Sequence, residues 1–234
     1  LLRPSNIMLA LKQALSLVTI KNVSGGSWNP SDETGLEAWY KNETGITLSG
    51  EKVSAWADSS TNSFDMVQAT ASEQPVYNGG DINFIAANIT HLQSASDITL
   101  SGAFTVGFRL EPTASNNAVL GSNNQPNEFF KITSTTNLRF KTDSNQVDLT
   151  IDSGTLLADI SLVVTRNASN LITMHINGVA QADTETLAGT ADINAIGIRN
   201  PNNNPYDGTI SEIQIYDTES TALTANVNTY LSNL

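Results

Sequence analysis

Ile160-Ser-Leu-Val-Val-Thr-Arg166-Asn-Ala-Ser-Asn170-Leu-Ile-Thr-Met-His175-Ile-Asn-Gly178-Val-Ala180 is the stretch that decides the fold. Two runs, 160–166 and 171–176, carry the β-branched and apolar residues that suit a pleated, half-buried surface. In the first run Leu162 and Val164 take one face, and Val163 and Thr165 the other. Asn177-Gly178 then separates two strand-like runs. Both residues of a two-residue hairpin turn need positive φ, and Asn followed by Gly accepts that at least cost. The block predicts antiparallel β structure.

The same texture extends outward on both sides. From Gly35 onward, short apolar segments alternate with polar turns every 8–12 residues, the pattern of an all-β sandwich. Strands are predicted at 36–40, 53–56, 66–69, 82–84, 103–110, 118–121, 128–133, 138–141 and 147–151, then 160–166, 171–176, 195–199 and 208–216. In the last, Ile210, Glu212, Gln214 and Tyr216 oppose Ser211, Ile213 and Ile215. So many strands must close as two packed sheets or a barrel. Leu223, Val227, Tyr230 and Leu231 then form a helical stripe, with Ser220 or Thr221 as its cap.

Residues 1–21 read differently. Pro4 and Ser5 suit a helix start, and Ile7, Leu11, Leu15 and Val18 line one face. The apolar run 7–18 is too short to span a bilayer, and Lys12 and Gln13 interrupt it as a signal peptide. The chain therefore reads as soluble, made without export and without a membrane partner. Residues 22–33 read as a linker centred on Gly25-Gly26-Ser27. Residues 34–234 read as one domain.

Composition narrows the function. The 234 residues carry 11 Lys plus Arg against 23 Asp plus Glu, a net charge of −12 that repels nucleic-acid phosphates. No cysteine is present, which excludes disulfides, thiolate metal sites and a cysteine nucleophile. Two histidines, His91 and His175, exclude multi-histidine metal sites. Asn, Ser and Thr number 26, 24 and 26, and suit Asx turns and neutral polar surfaces. Sequons at Asn22, Asn42, Asn88 and Asn167 are no more than the roughly five to six that this composition gives by chance.

Gly35-Leu-Glu-Ala-Trp39-Tyr40, Gly45-Ile-Thr-Leu48, Val53-Ser-Ala-Trp56-Ala-Asp58 and Gln68-Ala-Thr-Ala-Ser-Glu-Gln-Pro75-Val-Tyr77 together resemble the opening of laminin-G-like domains of the concanavalin A-like lectin/glucanase superfamily. Ala103-Phe-Thr-Val-Gly-Phe108 is similar to the central strand of that family. The run from Leu162 through Arg166 to His175-Ile-Asn-Gly178 is similar to its arginine-bearing hairpin. Asp207-Gly-Thr-Ile-Ser-Glu-Ile-Gln-Ile-Tyr216-Asp217 is similar to its closing strand. The resemblance spans about 34–234. It implies a two-sheet antiparallel jelly-roll sandwich, here with an N-terminal helical arm and a short C-terminal helix. It does not by itself settle function, because that fold hosts lectins, hydrolases, adhesins and virion proteins.

The family's glucanases carry Glu-x-Asp-x-x-Glu on one strand, which sets carboxylates on one face as nucleophile and acid/base. That motif is absent, and Glu212 with Asp217 and Glu219 is its nearest approach, at the wrong spacing. No Gly-x-Ser-x-Gly elbow is present either. His175 reads as a sheet residue and His91 as a strand edge or turn. The expectation is a non-enzyme. Many relatives bind calcium with an Asp and loop carbonyls, so Asp207, and after it Asp58, are the candidate ligands; an Asp before Gly is equally a turn residue, which is the favoured reading. No other cofactor is expected. Asn202, Asn203, Asn204 and Tyr206 are candidate glycan contacts, through amide hydrogen bonds and ring stacking. Trp39 and Trp56 read as core, and Trp28 as an interface residue beside the arm.

An apolar arm, a Gly/Ser linker and such a jelly roll look like structural proteins of tailed bacteriophages. The leading expectation is accordingly a capsid-surface decoration or head-fibre component on the outer surface of a virion. In that reading Ile7, Leu11, Leu15, Val18 and Trp28 anchor it to capsid or tail proteins, or to equivalent arms of a homo-oligomer such as a trimer. The alternatives are a tail-fibre or receptor-binding protein, and a carbohydrate-binding module or adhesin domain facing a host-surface glycan.

Overall fold

The computed structural model describes residues 28–124, 128–143, 145–199 and 203–234. The arm residues Ile7, Leu11, Leu15 and Val18 lie outside the described residues, as does Asn202. Eighteen strands, β1–β18 in chain order, occur among the described residues, and every pairing is antiparallel.

Pairing divides the strands into two layers. The first runs β1 (Leu36–Tyr40), β18 (Gly208–Tyr216), β8 (Phe104–Pro112), β13 (Ile160–Arg166) and β14 (Leu171–Ile176), with the two-residue strands β15 (Val179–Ala180) and β16 (Glu185–Thr186) on β14. The second runs β2 (Ile46–Ser49), β3 (Lys52–Trp56), β4 (Met66–Val67), β7 (Leu92–Leu100), β17 (Ala191–Ile196), β9 (Asn117–Gly121), β10 (Glu128–Ile132), β11 (Asn137–Thr142) and β12 (Asn145–Thr150). β5 (Val76–Asn78) and β6 (Asp81–Phe84) link them, pairing with β3 and β18 respectively. Aromatic contacts show the layers face to face: Phe104 meets Phe129 edge-on at 5.4 Å, and Phe108 meets Phe130 at 5.0 Å. Such ring pairs add to an aromatic side chain's burial energy, itself about 1.5–3 kcal/mol.

The hairpin 160–180 forms as its turn chemistry dictates. Asn177 and Gly178 have φ of 49° and 76°, and the Asn177 side-chain oxygen accepts from the Ser161 amide at 2.9 Å. β7 lies outside the predicted set, because Gln93-Ser-Ala-Ser-Asp97 carries little of the apolar and β-branched character of a strand. Its backbone is nonetheless held between β4 and β17, with Leu92, Ile98 and Leu100 buried. β2, β5, β15 and β16 also add to the predicted set, and the strand expected at 195–199 lies at Ala191–Ile196, where it stays paired to β7.

The C-terminal α-helix, α1 (Thr221–Leu231), is capped by Ser220, whose hydroxyl accepts from the Leu223 amide at 3.0 Å. Leu223, Val227 and Leu231 pack with Val163 and Tyr216 on the outer face of the first layer. Gly107 in β8 lets the helix come this close. A Cβ there would stand 2.5 Å from Val227 Cγ1 and 2.9 Å from Leu231 Cδ1. Residues 28–33, read as the end of a linker, fold onto the domain: Trp28 meets Tyr230 edge-on at 5.9 Å, and its ring nitrogen donates to Glu33 at 2.7 Å. No helix among the described residues is long and apolar enough to cross a membrane.

Candidate functional site

The loop before β18 does not present the surface its composition suggests. Tyr206 is fully buried, edge-on to Phe84 at 5.9 Å, and its hydroxyl donates to Thr209 O. Burial pushes its pKa well above the usual tyrosine value. Its ring fills the core and has no free face for a sugar, which corrects the stacking expectation. Asn204 is engaged at both ends, accepting from Arg199 Nε at 3.0 Å and donating to Asn116 O at 2.9 Å. Asn203 is exposed and bridges Arg199 through the main chain.

The two calcium candidates are turn carboxylates. Asp207 accepts from the Ala86 amide at 3.0 Å and the Thr113 hydroxyl at 2.8 Å, pinning two loops. Asp58 accepts from the Trp39, Ser60 and Phe64 amides and the Ser60 hydroxyl. Among the described residues no three of His, Cys, Asp and Glu gather as metal ligands.

Glu212 is wholly buried. Trp39 Nε1, the Asn42 amide and Gln214 Nε2 donate to it at 2.7, 3.0 and 2.8 Å, and Tyr230 adds a further hydrogen bond. Burial raises its pKa, opposed by those bonds. With no path to a substrate it braces β1 and α1 from within. Trp56 is core, its ring nitrogen donating to Lys41 O, and Trp39 is nearly so.

The residues that do assemble a recess come from four separate segments. On the outer face of the second layer, β4, β7 and the loops after β4 and β9 enclose about 450 Å³. Gln68, His91, Gln93, Ser94 and Asn123 supply its polar wall, and Val67, Ala69 and Ala95 its aliphatic patch. Val67 is 49% exposed, one of few large apolar side chains left to solvent among the described residues.

Internal bonds fix this wall. His91 Nδ1 lies 2.9 Å from Ile89 O, an oxygen that can only accept, so Nδ1 carries the proton. Its Nε2 therefore accepts from Gln68 Nε2 at 3.0 Å. Gln68 Oε1 in turn accepts from the Thr70 amide, and Gln74 donates to Gln68 O. Asn123 donates to Gln93 Oε1 at 2.7 Å, and its own amide N–H donates to Asn194 Oδ1. Behind the wall, Gln74 Oε1 and Asn194 Nδ2 are buried without a partner. The result is a preset array of amide, imidazole and hydroxyl groups beside an aliphatic patch, with Glu73 as the one carboxylate in the lining. It can bind a neutral polar ligand but holds no pair of carboxylates for hydrolysis. Sequence reading missed every one of these residues. The one available signal was Gln68 inside the predicted strand 66–69.

Residues 86–226, more than half of the chain, match the family described as the concanavalin A-like lectin/glucanases superfamily. Comparison with curated protein sequences gives no match. Among solved structures, the chain is similar to the binding domain of Paraclostridial Mosquitocidal Protein 1, with TM-score 0.57 and 16% identity over 88% of this chain and 53% of that one. Trypanosoma rangeli sialidase in complex with 2,3-difluorosialic acid gives 0.56 and 13%, over 97% and 39%. The binding domain of Botulinum Neurotoxin DC in complex with SialylT gives 0.52 and 11%, over 88% and 52%. The chain thus spans about half the length of the first of these, or less. At such identities the likeness is one of fold. The match across residues 86–226 and the two-layer sandwich agree: the chain belongs to the concanavalin A-like lectin/glucanase superfamily, as a laminin-G-like jelly roll.

Proposed function

We propose that this chain is a non-catalytic carbohydrate-binding module whose ligand is a neutral glycan. The observation that carries it is the recess on the second layer. Sugar hydroxyls both donate and accept, and the amides of Gln68 and Gln93 use only part of their capacity on the protein. Val67, Ala69 and Ala95 suit the C–H face of a pyranose. Lectin-bearing family membership and binding-domain neighbours support the reading.

Charge selects the sugar class. The neurotoxin binding domain and the sialidase were solved with sialic-acid-type ligands. Here Glu73 lines the recess, no Lys or Arg does so among the described residues, and the chain carries −12 overall. An acidic sugar would meet repulsion without a cationic partner. The absence of paired carboxylates in the recess supports a binding role over hydrolysis. A mount on a virion rests on residues 1–21, outside the described residues, so the binding module replaces it as the main reading.

Titration calorimetry against neutral and sialylated oligosaccharides tests this. Neutral chains should bind, sialylated ones should bind at least about tenfold more weakly, and no reducing sugar should be released. Gln93→Ala should weaken binding about tenfold or more while leaving the melting temperature nearly unchanged. Failure of every neutral sugar to bind, or a Gln93→Ala protein that binds as well as wild type, overturns the reading.

A further inference from the structure

Asn or Asp precedes Gly at three places in the chain: Asn78-Gly79, Asn177-Gly178 and Asp207-Gly208. Such a step can react with itself. The glycine main-chain nitrogen attacks the side-chain carbonyl carbon of the residue before it, and no Cβ on the glycine obstructs the approach. The attack needs a side chain free to turn back on its own main chain. What holds that side chain therefore decides each step.

Two of the three are held. Both Asp207 oxygens accept hydrogen bonds, from the Ala86 amide at 3.0 Å and the Thr113 hydroxyl at 2.8 Å. Gly208 after it is buried in β18, where a Cβ would stand 2.2 Å from Glu111 O. Asn177 is exposed but tied twice to Ser161. Its Oδ1 accepts from the Ser161 amide at 2.9 Å, and its own amide donates to Ser161 O at 2.8 Å.

Asn78 differs. It ends β5 and pairs with Asp81 across Gly79 and Gly80, a two-residue hairpin turn with both glycines at positive φ. Asn78 and Gly79 are exposed, and nothing stands within 4 Å of where a Gly79 Cβ would lie. Among the described residues no hydrogen bond holds the Asn78 side chain. An exposed tip with two glycines also gives the main chain the freedom the attack needs.

We propose that Asn78 is a site of spontaneous deamidation and isoaspartate formation, and that hydrogen bonds protect Asn177 and Asp207 from the same chemistry. The Gly79 nitrogen bonds to Asn78 Cγ, the Cγ–Nδ2 bond breaks, and ammonia leaves with the proton of the Gly79 amide. Water then opens the cyclic imide. Opening at Cγ gives aspartate; opening at the main-chain carbonyl leaves the chain running through Cγ, as isoaspartate. Either product adds a negative charge beside Asp81, its cross-strand partner. Isoaspartate also adds one carbon to the main chain inside the turn, which disturbs the pairing of β5 with β6. β5 is paired to β3 and β6 to β18, so the change loosens a link between the two layers. None of this rests on the sugar-binding reading of the recess.

Incubation of the full chain at pH 8.5 and 37 °C, followed by digestion and peptide mapping by mass spectrometry, tests it. The Asn78 peptide should gain the mass of an amide-to-acid change, in part as isoaspartate. It should do so at least about tenfold faster than the Asn177 peptide, because a reaction that must first break a hydrogen bond is slowed by about that factor. In guanidinium, with the fold removed, the two Asn-Gly steps should convert at similar rates. Aged wild type should melt lower than fresh protein, and aged Asn78→Ser protein should not. No conversion at Asn78 in the folded chain, equal conversion at Asn177, or isoaspartate at Asp207 to the same extent overturns the proposal. So does the same preference for Asn78 in guanidinium, since sequence rather than structure would then set it. Unchanged melting of a chain converted at Asn78 overturns the predicted loosening.

Discussion

Two fully buried charges, Arg166 and Glu212, are held in opposite ways. Arg166 closes one end of the sandwich with main-chain oxygens alone: Gly102, Leu187, Gly189 and Leu100 accept at 2.7, 3.3, 2.7 and 3.2 Å, and Phe104 lies 4.8 Å beneath the guanidinium. Glu212 lies under α1 and is held mostly by side-chain donors. A guanidinium presents five N–H donors in a rigid fork, so it can gather the carbonyls of several segments at once. Desolvation lowers its pKa, but it starts so high that it remains charged. The carboxyl is different: burial moves its titration toward the range in which the protein lives. One buried charge is a fixed clasp, and the other a clasp that depends on acidity. Neither reaches solvent, so neither does chemistry.

Breaking the first clasp should have the largest effect. Arg166→Ala strands four carbonyls in the interior and should cost about 3–5 kcal/mol or more. A thermal melt should show a drop of roughly 10 °C or more, and a smaller drop than Glu212→Gln gives would invert the ranking.

Glu212→Gln tests the second clasp. A glutamine offers one acceptor oxygen where the carboxylate offers two, so a donor among Trp39, Asn42 and Gln214 loses its partner, at about 1–3 kcal/mol. Because the folded-state pKa is raised, the stability contributed by Glu212 is fully present below the unfolded pKa and is lost as pH rises through the folded value. The deficit of the variant should therefore shrink as pH rises above the ordinary carboxylate range. A deficit that is constant from pH 4 to 8 would show that the carboxyl titrates as it does unfolded.

Glu37 sharpens the contrast at the smallest scale. Its pKa is raised by burial and by Asp217 and Asp58, carboxylates where Glu212 has donors. Glu37→Gln should raise the melting temperature by a degree or so at pH 7 and leave it unchanged near pH 4, because the protonated wild type already lacks the repulsion. A lower melting temperature at pH 7 would mean that the charge is used elsewhere.

These residues also show how far the sequence could be read. The hairpin at Asn177-Gly178 and the capped stripe of α1 are local: turn chemistry and a helical period suffice. β7 is not, because the neighbours that make Gln93-Ser-Ala-Ser-Asp97 a strand come from β4 and β17. The resemblance to laminin-G-like domains brought Arg166 into view as part of a hairpin, but strand alternation does not say that an arginine is buried on carbonyls. The recess was illegible for the same reason as β7, since Gln68, His91, Gln93 and Asn123 meet only after folding. Tyr206 was misleading because an Asn- and Pro-rich loop reads as surface, whereas burial of its ring depends on Phe84 in β6.

The place of β8 at the centre of its layer bears on how fast this chain reaches its native state. Val106 pairs with Val164 on one side and Ile215 on the other, partners that follow it by roughly 60 and 110 residues. Both loops must be closed, against chain entropy, before either pairing returns any free energy. Topologies dominated by such distant contacts fold in milliseconds to seconds rather than microseconds. During that interval Phe104 and Phe108 stay uncovered in a chain with only 15% charged residues. Collapse onto another nascent copy competes with closure at that stage, so refolding yield should fall with protein concentration even where the finished domain is stable.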